Sequence, residues 1–173
     1  MKSTKILWFT GLSGSGKTEI SKGLIKKLEE LGKSYKIFDG DDVREKLHKA
    51  LGFTPEDIRL NNSLIMDLCR KELGRVDFIL VPIISPFKES RRKAKKLFGE
   101  KFIEIYVNCP YEECKIRDVK GLYKKAESGE IQNFIGLHIP YEAPENPDIE
   151  INTAEIDVNT SINKIVNFLD LEG

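Results

Sequence analysis

The chain has 173 residues, 40% hydrophobic and 32% charged, with 28 basic residues balanced by 28 acidic ones. This suits one compact α/β domain spanning 1–173 and excludes a disordered chain. The zero net charge argues against general nucleic-acid binding, which draws on a strong basic excess.

Lys5 to Thr10 (KILWFT) reads as a buried strand. A glycine-rich turn follows, then an amphipathic helix from Lys17 to Leu31 with Ile20, Leu24, Ile25 and Leu28 on one face, stopped by Gly32. Ser34 to Phe38 reads as a second strand, Arg44 to Leu51 as a helix broken by Gly52, and Thr54 as the N-cap of a helix reaching about Leu73, with Pro55 at its first position. Phe78 to Ile84 is the most apolar strand and is expected at the sheet centre, although Pro82 cannot donate to a ladder. Pro86 to Phe98 reads as a basic helix, Phe102 to Val107 as a fourth strand and Tyr111 to Ala126 as a charged helix. Asp148 to Ile151 and Val158 to Leu169 close the chain as strand and helix. This alternation predicts a three-layer α/β fold, a mostly five-stranded parallel sheet between helices.

No apolar run approaches the ~20 residues that span a bilayer, and Met1 to Lys5 shows no signal-peptide pattern. The expectation is a cytoplasmic protein starting near Met1, without a membrane partner. Cys69, Cys109 and Cys114 are irregularly spaced and read as reduced thiols rather than a disulfide or zinc framework.

Gly11-Leu12-Ser13-Gly14-Ser15-Gly16-Lys17-Thr18 matches G-x-x-x-x-G-K-[ST] in full, between a strand and a helix. A triphosphate must be held by many donors at once. Glycines let the backbone aim its N–H groups inward, and the helix start adds partial positive charge. Lys17 would reach the β- and γ-phosphates and Thr18 would offer its hydroxyl to Mg²⁺. The motif predicts ATP and Mg²⁺. A GTPase is disfavoured, because Asn163-Lys164 is followed by Ile165-Val166 rather than a guanine-reading x-Asp, and the Phe78–Ile84 strand runs into Ser85-Pro86 without a Walker B acid.

Asp39, Asp41 and Arg44 follow the second strand, at the end of the sheet where ligands bind in such folds. Asp41 is the expected base for an acceptor hydroxyl, Asp39 the expected contact to metal-bound water or ribose, and Arg44 a holder of an acceptor phosphate. The charged stretch Lys115 to Glu130, with Gly121 and Gly129 as hinges, suggests a lid at about 115–135 carrying Arg117, Lys120 and Lys124 over the phosphates.

Together these segments resemble the adenylylsulfate kinase family of P-loop kinases. The resemblance is carried by Trp8 to Thr18, Asp39-Gly-Asp41 with Arg44, Leu51-Gly-Phe-Thr54, Ile84-Ser-Pro-Phe87, Arg117 to Ala126, Gly129-Glu-Ile131 with Phe134, and Pro140-Tyr-Glu-Ala-Pro144. It implies an ATP-dependent kinase acting on the ribose 3'-hydroxyl of adenosine 5'-phosphosulfate, in sulfate assimilation. By resemblance, Gly11, Ser13, Gly14, Ser15, Gly16, Lys17, Thr18 and Arg117 hold ATP, and Thr18 and Asp39 serve the metal. Asp41, Arg44, Phe53, Asn61, Ser85, Lys120, Leu122 and Phe134 serve the acceptor, with Phe53 and Phe134 sandwiching its base. Ser85 matches a serine described in the family as a phosphoserine intermediate; binding a phosphate or the Mg²⁺ shell is the milder role. A homodimer is expected by the same resemblance.

The acceptor-binding stretch departs from the family pattern. Ile58 stands where an arginine is usual, Ser63 and Leu64 replace an arginine pair, Phe87 replaces a tyrosine, and His138-Ile139 replaces a more acidic pair. Arginine is hard to replace for planar anions. The alternatives are therefore the same chemistry on another 5'-modified nucleotide, such as a cytidine diphosphoramidate of capsule biosynthesis, or a non-catalytic nucleotide-binding regulator.

Overall fold

The computed structural model describes residues 2–47 and 49–171. Five parallel strands form one sheet among these residues: β1 (Lys5–Thr10), β2 (Tyr35–Ile37), β3 (Phe78–Pro82), β4 (Phe102–Asn108) and β5 (Ile149–Asn152), in the order β2-β3-β1-β4-β5. The centre is therefore β1, not the more apolar β3, which lies between β1 and β2. Both strands are buried on both faces, so hydrophobicity alone does not rank them.

Alternation along β1 sorts its side chains between two layers. Leu7 and Phe9 pack against α1 (Lys17–Glu30) and α7 (Val158–Phe168) through Ile20, Leu24, Leu28, Ile162 and Ile165. Ile6 and Trp8 face the other way, toward α2 (Gly40–Lys46), α3 (Pro55–Glu72) and α4 (Lys88–Phe98), meeting Val43, Ile65, Met66, Ala94 and Phe98. Each fully buried aliphatic or aromatic side chain contributes roughly 1.5–3 kcal/mol, so the two layers carry most of the stability.

Pro82 lies at the C-terminal end of β3, opposite Phe9. The Leu80 carbonyl accepts from Phe38 N, so the even-numbered backbone groups of β3 point toward β2. The paired residues of β2 end at Ile37, opposite Leu80, so the proline removes no ladder bond.

Several element limits differ from expectation. α2 begins at Gly40 and ends at Lys46, because Asp39 caps it by accepting from Asp41 N. The expected helix over 111–126 is two: α5 (Tyr111–Arg117) and α6 (Leu122–Glu127), separated at Asp118 (φ 25°) and Gly121 (φ 67°). A short 3-10 turn, Gly99–Lys101, precedes β4. α3 starts as expected: Thr54 accepts from Asp57 N while the Asp57 carboxylate accepts from Thr54 N, a capping box.

Candidate active site

The loop between β1 and α1 closes around its own lysine. Lys17 Nζ donates to Gly11 O (2.8 Å) and Leu12 O (2.7 Å) and lies 3.3 Å from Ser15 Oγ. The loop needs glycine. At Gly11 a Cβ would stand 2.5 Å from Val107 O, and Gly14 and Gly16 adopt left-handed φ of 77° and 109°. Burial pulls the Lys17 ammonium down to about 8, against the raising influence of Cys114, Asp39 and Asp41, while Lys120 adds like-charge repulsion. Asp39, Asp41 and Lys120 thus act electrostatically on the lysine of the loop.

On the acceptor side, Asp39 ends the β2–α2 connection with its Oδ1 engaged by Asp41 N (3.0 Å). Asp41 is exposed and its Oδ2 pairs with Lys120 Nζ. Arg44 Nη1 donates to Gly52 O (2.6 Å) and its guanidinium lies 4.3 Å from the centroid of the Phe53 ring, which is 58% exposed. Desolvation lowers the Arg44 pKa, opposed by Asp57 and Asp41. A cavity of about 370 Å³ is lined here by Asp41, Arg44, Glu45, Lys49, Leu51 and Phe53.

Phe134 lies elsewhere, buried with Leu12, Cys109, Cys114, Tyr123 and Ala126, its ring edge-on to Tyr123 at 4.9 Å. Phe53 thus carries Arg44 on its face, while Phe134 packs on Tyr123. The turn after Phe134 adjoins the phosphate loop: a Cβ on Gly136 would come 3.0 Å from Leu12 Cδ2. Leu122 is half-buried beside the same cluster, and Asn61 is buried on α3. Ser13 takes part through its carbonyl, which accepts from Tyr123 Oη (2.7 Å). Thr18 is exposed at the start of α1.

Arg117 reaches the back of the loop. Its Nη2 donates to Thr153 O (2.8 Å), its Nη1 reaches Thr153 Oγ1 and Gly14 O, and Thr153 Oγ1 donates to Ser15 O (2.6 Å). Ser85 lies at the end of β3, 2% exposed, with Trp8 Nε1 donating to its Oγ (3.1 Å). Three of the departures from the family pattern, Ile58, Phe87 and Ile139, form a buried apolar cluster. Ile58 packs with Phe87 and Ile139, whereas Arg59 lies over the Phe87 ring and pairs with Glu56 and Glu89.

Sequence reasoning gave no role to Thr153, Tyr123, Arg91, Glu104 or Tyr141. Thr153 could have been found as the residue following a strand at the ligand end of the sheet.

The donor set fits a magnesium nucleotide. The cradle admits no Cβ at Gly11, its buried lysine donates to two loop carbonyls, and the Thr18 hydroxyl lies at a helix start. Among the described residues no cluster of three acidic, histidine or cysteine side chains could hold a metal alone.

A phosphate cradle at the C-terminal end of β1, facing carboxylates at the end of β2 in a parallel sheet, defines a P-loop phosphotransferase. Residues 3–152 match the adenylylsulphate kinase family model. The chain belongs to the adenylylsulfate kinase family. It is 44% identical over 164 residues to the adenylyl-sulfate kinase of Clostridium kluyveri, covering 95% of this chain and 82% of the relative. It is 46% identical over 168 residues to that of Halothermothrix orenii, covering 96% and 90%. The fold matches the APS kinase of Mycobacterium tuberculosis in complex with AMPPNP and APS at a TM-score of 0.92, with 35% identity over 98% of this chain and 99% of that one.

Proposed function

We propose that this enzyme transfers the γ-phosphoryl group of ATP to the ribose 3'-hydroxyl of adenosine 5'-phosphosulfate. The observation that carries the reading is a complete phosphate loop closed around the buried Lys17, with the Asp39-capped turn following β2 of the same parallel sheet, in a chain related along nearly its whole length to adenylyl-sulfate kinases.

In this reading the amides of Gly11 to Thr18 and the Lys17 ammonium hold the β- and γ-phosphates, and Arg117 braces the loop from behind. Thr18 and Asp39 would hold Mg²⁺, directly or through water, and the bound ion would neutralise charge on the phosphate oxygens. Asp41 orients the 3'-hydroxyl and takes its proton as the new O–P bond forms; the bond from the γ-phosphorus to the β–γ bridging oxygen breaks, releasing ADP. Asp41 is paired with Lys120 and must be freed to act, so Lys120 transfers to phosphate as segment 115–135 closes as a lid. Phe53, Arg44, Asn61, Ser85, Leu122 and Phe134 complete the acceptor pocket, with Phe134 turning from Tyr123 toward the base. The reading places the chain in the cytoplasm as one domain and a homodimer. It is tested by ATP-to-ADP turnover with Mg²⁺ across a panel of acceptors; adenosine 5'-phosphosulfate should be the efficient one, and its failure beside another nucleotide would overturn the reading.

A second reading keeps the chemistry and changes the acceptor to a 5'-modified pyrimidine nucleotide such as cytidine diphosphoramidate. It is favoured by the apolar Ile58–Phe87–Ile139 patch and by the engagement of Arg59 with Glu56, Glu89 and Phe87, which leave fewer cations for a phosphosulfate. CDP-linked compounds in the same panel decide it.

A further inference from the structure

We propose that Arg91 and Glu104 are a buried positioning pair that sets the conformation of Ser85, acting with a strap made by Tyr141 and Glu142. This rests on Ser85 being an acceptor-side group, as above.

Ser85 holds a left-handed φ of 46°, a conformation unfavourable to a non-glycine residue that persists only where its surroundings over-determine it. Its carbonyl accepts from Arg91 Nη1 (2.5 Å) and lies 3.0 Å from Thr10 Oγ1, whose one proton is shared with Ile84 O (2.7 Å). Its Oγ accepts from the Trp8 indole, a donor only, so the serine hydroxyl keeps its own proton to give to a ligand.

Arg91 joins three segments. Besides Ser85 O, its Nη2 donates to Glu142 O, and its Nε lies 2.8 Å from Glu104 Oε1 as an ion pair without hydrogen-bond alignment, both side chains largely withdrawn from water. Glu104 lies on β4 opposite Trp8, and its amide donates to Asp148 Oδ2, so its backbone is fixed in the sheet. The strap closes the other side. Glu142 N donates to Pro86 O (2.9 Å), Glu142 Oε2 accepts from Lys88 N (2.7 Å) at the start of α4, and Tyr141 Oη lies 2.8 Å from Thr10 Oγ1. The Tyr141 ring stacks on Tyr106. The turn of Ser85 is thus gripped from β1, α4 and the strap at once.

A stability role alone would not select this pair. Buried ion pairs are commonly no more stabilising than apolar residues of the same volume. What the guanidinium supplies is a rigid fork that fixes the distance between Ser85 and Glu142, with Glu104 as its counter-ion. The strap also follows directly on the turn of Phe134 to Ile139, so it links the acceptor-base aromatic to Ser85.

The protein contains one tryptophan, so a single indole N–H resonance reports the Trp8–Ser85 bond. In the volume-conserving Arg91→Met/Glu104→Leu enzyme this resonance should move toward its position in Ser85→Ala. The value of kcat should fall about 10- to 100-fold while KM for ATP stays within about two-fold of wild type. In a Ser85→Ala background the same two substitutions should cost little further activity, because the group they position is gone. Should the double variant fail to fold, Glu104→Gln and Tyr141→Phe give the same readouts. A wild-type indole resonance in the folded variants, or an equal loss of kcat with and without Ser85, would overturn the proposal. Wild-type enzyme that binds ATP but does not phosphorylate adenosine 5'-phosphosulfate would instead refute the acceptor reading, and the indole shift would still decide whether Arg91 and Glu104 set Ser85.

Discussion

At the scale of single residues, chemistry and scaffold separate by what each side chain touches. Asp41 is exposed and its carboxylate pairs with Lys120. Asp41→Asn should lower kcat about 10²- to 10⁴-fold with ATP affinity nearly unchanged, as titration with a non-hydrolysable ATP analogue would show; equal loss of both would make Asp41 a nucleotide ligand. Gly11→Ala should abolish ATP binding, because its Cβ meets a strand carbonyl at 2.5 Å that cannot withdraw. Such residues were partly legible. The loop was readable in full, since phosphate binding dictates both residue types and spacing. Phe53 and Phe134 would pass for core residues; the structure buries Phe134 and exposes Phe53, so only the resemblance assigned them a shared role. Arg91 was hidden by its neighbours. In KESRRKAKK an arginine looks like part of a solvated face, and only the register that places Glu104 beneath α4 turns it inward.

At the scale of elements, helix caps set the rims of the site. The capping box at Thr54 fixes the start of α3, where the chain emerges from Phe53. Thr54→Ala should destabilise the protein by about 1 kcal/mol, seen as a lower midpoint in urea, and raise KM for the acceptor more than for ATP. That start was readable from Thr-Pro-Glu-Asp, because cap chemistry is local. The starts of α2 and α6 were not. Gly40 is a poor helix former whose helix depends on the Asp39 cap, and the break at Asp118 comes before Gly121, the one punctuating residue that the charged stretch displays there. There the carboxylate of Asp118 accepts from Tyr123 N and Lys124 N, capping α6 after a turn that the charge pattern does not reveal.

At the scale of the whole molecule, the end of the sheet remote from the phosphate loop is pinned by Asp77. Its Oδ2 accepts from Lys2 Nζ (2.7 Å), Ser34 N (2.8 Å) and Ser34 Oγ (2.6 Å), tying the N-terminal segment to the starts of β2 and β3. The Lys2 bond foremost, then the Ser34 bonds, hold this carboxyl far below its ordinary value of 3.8. Because the folded-state value is depressed, the stabilisation is present above about pH 4 and is lost as pH falls below it. Asp77→Asn should therefore be less stable than wild type at pH 7, with the gap closing toward pH 3; a gap independent of pH would assign the effect to packing. The sheet itself was legible from the alternation of apolar runs and amphipathic stretches, whereas the strand order was not, since β1 and β3 are equally buried.

The measurement that bears most directly on the enzyme's role is product formation from ATP and adenosine 5'-phosphosulfate in the presence of Mg²⁺, run beside CDP-linked acceptors and the Asp41→Asn variant. One 3'-phosphorylated adenosine phosphosulfate per ADP, lost in Asp41→Asn while ATP still binds, is the predicted result. Phosphorylation confined to a CDP-linked acceptor would contradict it, and would mean that the Ile58–Phe87–Ile139 patch has given a conserved kinase frame a different nucleotide to read.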